Sequence, residues 1–341
     1  MADNSKIEWC DATWNVIVGC SVLSPGCTNR YAMRLAGTRL KHHPSRAGLT
    51  VESKAGPVWT GEARLDEKAL TQPLHWRRPR KIFVCAHSDL FHEATPDEWI
   101  DRVFAVMTLC PQHTFQVLTK RPERMRTYIA SRTTGWQETL ANAFAPGTLP
   151  ITKNDIERAF GLAQKFSYDP PTPTWPLPNV WLGVTAEDQT RADERIPVLL
   201  ATPAAKRFVS VEPMLGAVDL RRLSCADPAE VAQYERGEID GVCGYYVDAL
   251  SGDAWDDANG GLNAEVWGDD AEHPPRLDWV ICGGESGPGA RPMAVEWAKD
   301  IRNQCAAAGT AFFMKQMSGK TGAERAAIPA DLLVREFPDA R

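Results

Sequence analysis

The strongest constraint on the fold is a set of seven short apolar runs, rich in β-branched and aromatic residues, at 14–19, 81–85, 114–118, 179–184, 207–211, 279–282 and 310–314. Their length and composition mark them as strands rather than helices. Between several of them lie stretches with helical spacing, at 30–39, 96–109, 189–200 and 295–308; in the second, Trp99, Ile100, Val103, Phe104 and Met107 fall on one face. Strands that alternate with helices pair in parallel through right-handed crossovers, and strands apolar along their whole length are buried on both faces. The expected class is α/β, an incomplete (β/α) barrel of about six to seven parallel strands with insertions, with a doubly wound sheet as the competing arrangement.

Three stretches break the rhythm, at about 42–78, 131–178 and 216–276, and are expected to be insertions in a single barrel domain spanning 1–341. The second ends in a Pro-rich segment, 169–178, whose fixed φ angles favour an extended connection, and the third is acidic and Gly-rich around 253–270. At 341 residues and 43% hydrophobic content, one large core is feasible. No apolar run approaches the roughly 20 residues of a membrane helix. The first residues lack a secretory pattern, so a cytoplasmic protein with reduced thiols is expected, and nine scattered cysteines read as core residues or metal ligands. With 38 basic against 44 acidic residues, the net charge of −6 gives no global footprint for nucleic acid. The best local basic patch is the run Trp76-Arg-Arg-Pro-Arg-Lys81.

Parallel α/β sheets collect function where their strands end. After the first run comes Cys20-Ser-Val-Leu-Ser-Pro-Gly-Cys27; after the second, His87-Ser-Asp89 and His92; after the third, Lys120-Arg121. Then follow Glu187, Glu212, the glycine turn Gly283-Gly284-Glu285-Ser286 with Arg291 beyond it, and Lys315. Two thiolates curled by a Pro-Gly turn suit iron-sulfur or zinc, yet they leave a cubane cluster one ligand short, and Arg30 stands where a third cysteine would sit. Cys85 and Cys282 end strands at the same face and are the candidate substitutes. His87, Asp89 and His92 form a second candidate metal set. Glu187 and Glu212 are expected either to hold a ligand amine or hydroxyl, or to pair with Lys120, Arg121 or Lys315. The aromatic set Trp9, Trp14, Tyr31 and Trp59 serves base stacking or core packing.

Several blocks in this order resemble one family: Ile7-Glu-Trp9 with Asp11-Ala-Thr-Trp14-Asn15, the Cys20 to Tyr31 segment, Ser88-Asp-Leu-Phe-His92, Leu118-Thr-Lys-Arg-Pro122, Gly183-Val-Thr-Ala-Glu187, Ser210-Val-Glu-Pro213, Gly283-Gly-Glu-Ser286 with Ala290-Arg-Pro292, and Phe312-Phe-Met-Lys315-Gln316. The chain is similar to the phage-type three-Cys-motif proteins, relatives of the radical S-adenosylmethionine enzymes. That family's loop has a cysteine, six residues, a cysteine, two residues and a third cysteine before Tyr-Ala; Cys20, Cys27, Tyr31 and Ala32 match, and Arg30 departs. The resemblance implies a radical SAM-like barrel from a phage or prophage, with a [4Fe-4S] cluster at Cys20 and Cys27. It implies S-adenosyl-L-methionine held by Tyr31, Glu187, Glu212, Gly283, Gly284, Glu285, Ser286 and Arg291, and Lys120, Glu187 and Glu212 as catalytic candidates. Two functions follow from it. One is a radical enzyme acting on a nucleic acid or nucleotide, and the other is a non-catalytic barrel that binds a nucleoside-like ligand or nucleic acid after losing the cluster. A guanidinium is always protonated and does not replace a thiolate on iron, so Arg30 divides the two.

Overall fold

The computed structural model describes residues 5–29, 31–54, 56–145, 147–165, 175–225, 245–256 and 275–339. Arg30, much of the Pro-rich segment and most of the acidic Gly-rich stretch lie outside the described residues.

Seven strands form one sheet in the order of the chain: Ala12–Trp14, Lys81–Val84, Thr114–Thr119, Val180–Thr185, Lys206–Val211, Trp279–Gly283 and Ala311–Gln316. The pairing is parallel, with Ala12 opposite Ile82, Ile82 opposite Phe115, and Val280 between Val209 and Phe312. A doubly wound sheet would reverse its strand order at a switch point. Here the order never reverses, and the fold is a partial (β/α) barrel of the α/β class. All seven expected strands are present. The expected run 14–19 is a correction: the sheet strand ends at Trp14, and Ile17–Val18 turns away to pair antiparallel with Arg64–Leu65. Val16, Ile17 and Val18 are as buried as Trp14, so a continuous apolar run records burial and not which strand is the partner.

The backbone packs as two compact units, 1–183 with 202–206, and 184–201 with 207–340. In the first, helix Asp97–Thr108 starts at Pro96 with Asp97 and Glu98 in its first turn, where carboxylates complement the helix dipole, and it buries Ile100, Val103, Phe104 and Met107. Phe104 stacks on Tyr128 of helix Pro122–Thr133 with ring centroids 5.7 Å apart, and meets Trp136 of helix Trp136–Ala143 edge-on at 6.0 Å. The stretch 42–78 contributes a hairpin, Thr50–Ser53 with Gly56–Trp59, and the short helix Glu67–Leu70. The stretch 131–178 contributes helix Trp136–Ala143 and helix Lys153–Lys165.

In the second unit, helix Gln189–Leu200 is capped by the Asp188 carboxylate, which accepts a hydrogen bond from the Arg191 N–H at 2.9 Å. Helix Val295–Ala308 ends at Gly309, whose φ of 69° is the left-handed conformation that glycine adopts without penalty. Trp279 packs between Phe208 and Phe337, at 5.7 and 5.2 Å, as the centre of this unit's core. The strands Leu223–Ser224, Tyr245–Val247 and Ala254–Asp256 form a small antiparallel sheet of their own. No helix among the described residues is long and apolar enough to cross a membrane.

Phe104 is fully buried among three aromatic rings, so Phe104→Ala removes both its transfer energy and their contacts. Urea unfolding should show a loss of about 3–5 kcal/mol, against under about 1.5 kcal/mol for Phe104→Leu if volume alone governs the site.

Candidate functional site

In the first unit the strand exits meet through one carboxylate. Asp89 is 3% exposed and accepts four hydrogen bonds: from the Thr119 hydroxyl at 2.7 Å, the Phe91 N–H at 3.0 Å, the Lys120 N–H at 3.1 Å and Nη1 of Arg121 at 3.0 Å. Arg121 also donates to Glu93 at 2.7 Å and, through Nη2, to the Ser21 hydroxyl at 2.6 Å. The exits of the second and third strands are thereby tied to the loop that carries the cysteines. Burial works against the charge on Arg121, but Asp89, Glu93 and the neighbouring Cys20 outweigh it and hold the guanidinium firmly protonated.

The loop itself is shaped by two local devices. Gly19 has φ of 91°, and a Cβ there would lie 2.2 Å from the Glu62 carbonyl oxygen, so only glycine fits. Ser24 then starts a single 3₁₀ turn, Pro25–Cys27, closed by the Cys27 N–H donating to the Ser24 carbonyl at 2.8 Å. The Lys120 ammonium donates to the Ser24 hydroxyl at 3.1 Å, and that hydroxyl lies 3.8 Å from Cys27 Sγ. Both thiols are buried; Cys20 packs with Ala32, Met33, Ala36, Leu49 and Trp59. Each of the two cysteines thus has a cation close by, Arg121 for Cys20 and Lys120 through Ser24 for Cys27. Positive charge beside the loop attracts an anion.

The second candidate metal set is otherwise engaged. His92 accepts from the Ala94 N–H through Nδ1 at 3.1 Å and places Nε2 3.0 Å from Ser21. Burial, and then Arg121, lower its pKa, so the ring is neutral. Tyr31 is exposed, with its ring edge-on to His87 at 6.1 Å. Trp9, Trp14 and Trp59 are core residues; Trp14 donates to the Ala69 carbonyl at 2.7 Å. Arg77 and Arg78 of the basic run are exposed, and Arg80 lies over the Trp76 ring at 5.4 Å.

The proposed substitute thiols have other partners. Cys85 is fully buried, hydrogen-bonded to Ser88 and to the Ile17 and Val16 backbone, and burial pushes its pKa up to about 12. Cys282, in the second unit, lies 3.8 Å from the Met214 sulfur, and burial raises it as well. Position 30 lies outside the described residues. Among the described residues no three His, Cys, Asp or Glu side chains converge to hold a metal ion. The donor set is two thiols, and it does not fit a cluster held by three.

In the second unit the strand-end acids are matched one to one with bases. Glu187 is fully buried and receives Nη1 of Arg195 at 3.0 Å, from its own following helix. The same Nη1 donates to the Thr185 carbonyl at 2.6 Å. Glu285 is closed on Arg291, at 2.9 Å from Nε and 2.5 Å from Nη2. Gly284 packs on Ser318, where a Cβ would approach the backbone nitrogen to 2.2 Å; Ser286 bridges to Gly319. Glu212 and Lys315 pair at 2.5 Å, as expected, and Glu212, 19% exposed against 6% for Glu285 and 0% for Glu187, is the most accessible of the three acids. A Cβ on Gly283 would lie 3.4 Å from the Glu212 carboxyl carbon, so glycine keeps the space beside that pair open. Ser21, Ser24, Glu93 and Arg195 complete these networks and were not singled out in the sequence. Only Arg195 left a trace there, as a charged residue beside Ile196 and Leu199 on a helical face.

Two measurements follow. Asp89→Asn leaves the buried Arg121 without its carboxylate partner, and chemical unfolding should show a loss of about 3 kcal/mol or more. His92 has a folded pKa below its unfolded value, so the unfolded chain binds the extra proton and stability falls as pH drops through about 6.5. Melting temperatures between pH 7.5 and 5 should decline, and His92→Gln should flatten that decline.

No curated protein and no solved structure matches the chain. A family profile covers residues 4–331, nearly the whole length. By that match the chain belongs to the DUF5131 family, proteins of unknown function.

Proposed function

We propose that this chain is a radical SAM-like barrel that has given up its cluster and binds a nucleoside-like ligand of the S-adenosylmethionine type by its carboxylate. The observation that carries the reading is the cysteine loop: two buried thiols beside Lys120 and Arg121, with an arginine in the sequence at the third position. Cations at such a site repel iron and attract carboxylate or phosphate. Lys120, on its Ser24 anchor, is the residue to meet the ligand's carboxylate. Tyr31 offers an exposed ring for a base.

The second reading is the enzyme, radical chemistry on a nucleic-acid or nucleotide substrate with a [4Fe-4S] cluster and S-adenosyl-L-methionine. It is favoured by how much of the loop is kept: the Pro25–Cys27 turn and the helix opening at Tyr31. The two separate in one experiment. Anaerobic reconstitution of the unaltered chain should yield well under one cluster, and Arg30→Cys should bring iron to about four per chain. Full, stable loading of the unaltered chain overturns the binding reading; failure of Arg30→Cys to load overturns the descent from a cluster enzyme. Calorimetry with S-adenosylhomocysteine on the unaltered chain should show binding that Lys120→Met weakens about tenfold, the loss of one charge-assisted hydrogen bond.

A further inference from the structure

The segment that carries the cysteine loop has an unusual charge. No Asp or Glu lies between Asp11 and Glu52, while Arg30, Arg34, Arg39, Lys41 and Arg46 fall in that interval of a chain whose net charge is −6. Arg34 and Arg39 are exposed; Lys41 is paired with Glu52 at 3.2 Å, and Arg46 is buried. The same segment concentrates apolar surface. Five large hydrophobic side chains are exposed among the described residues, and three of them, Val22, Leu23 and Tyr31, lie within ten consecutive positions. Tyr31 is 65% exposed and opens the helix Tyr31–Gly37, which places Arg34 one turn on, along the same side.

We infer that the face formed by the cysteine loop and the helix Tyr31–Gly37 docks single-stranded nucleic acid. Guanidinium groups interleaved with an exposed ring and apolar side chains are what unpaired nucleotides bind, with phosphates on the cations and bases on the aromatic and aliphatic surface. Duplex offers its phosphates but hides its base faces, and leaves Val22, Leu23 and Tyr31 without a partner. The cations of the stretch itself are unmatched in sequence by any acid until Glu52, which pairs with Lys41; an acidic peptide is the competing occupant, and polyglutamate stands in for it below. The inference rests on exposed residues, and it holds whether or not the buried loop accepts the nucleoside-like ligand.

Fluorescence anisotropy with a labelled oligothymidylate of about 20 nucleotides, a few site lengths, tests it on the full chain. Tyr31→Ala should weaken binding at least about fivefold, the lower end of what one stacked base supplies. Arg34→Glu with Arg39→Glu should flatten the dependence of log affinity on log salt by about 1.4, from roughly 0.7 per phosphate on a single strand. Both variants should melt with the unaltered chain, since the changed side chains are exposed. Three results overturn the inference: no binding by the unaltered chain at about 50 mM salt, the low end of the range where phosphate contacts are strongest, binding indifferent to both variants, or equal competition by polyglutamate, which would assign the face to an acidic protein. Calorimetry with S-adenosylhomocysteine on the unaltered chain keeps the questions apart, because an unaltered chain that binds the nucleoside but no oligonucleotide fails the docking face alone.

Discussion

The buried pair of Asp89 and Arg121 holds the first unit's strand exits in place. Asp89 draws together the exits of the second and third strands, and Arg121 reaches on to Ser21 in the cysteine loop. Such a pair is costly to bury and is maintained only when its remaining hydrogen-bonding capacity is met. Here the backbone N–H groups of Phe91 and Lys120, the Thr119 hydroxyl, Glu93 and Ser21 meet it. The loop geometry is therefore set by protein groups.

The second unit follows a different logic. Glu187 with Arg195 and Glu285 with Arg291 neutralise charge that would otherwise sit at strand ends with little solvent. These pairs brace their loops and leave little capacity for a ligand. Of the three acids, Glu212, paired with Lys315, is the most exposed. A ligand amine arriving there would compete with Lys315 for the same carboxylate, so binding there depends on an exchange of partners.

Much of the architecture was legible in the sequence because burial on both faces of a parallel strand leaves an uninterrupted apolar run. The helix expected at 295–308 begins and ends where its pattern does, with Gly309 as the stop. The run 14–19 misled because Val16, Ile17 and Val18 are as buried beyond the bend as Trp14 is before it. At the site, acids and bases following strands were visible, and so was Lys315 as a partner for Glu212, but Arg195 as the partner of Glu187 was not. Glu187 and Arg195 are eight residues apart and meet only because the intervening strand exit turns back into a helix. Ser21 and Ser24 were unreadable, since a serine in a loop has no signature until a lysine and an arginine are folded onto it.

The account's central claim is that the unaltered chain holds two thiols on a cationic bed and no stable cluster. Its most direct test is electron paramagnetic resonance of the chain isolated anaerobically from iron-replete cells and reduced with dithionite. The account predicts a spin signal far below one per chain; a [4Fe-4S] signal close to one spin per chain would contradict it.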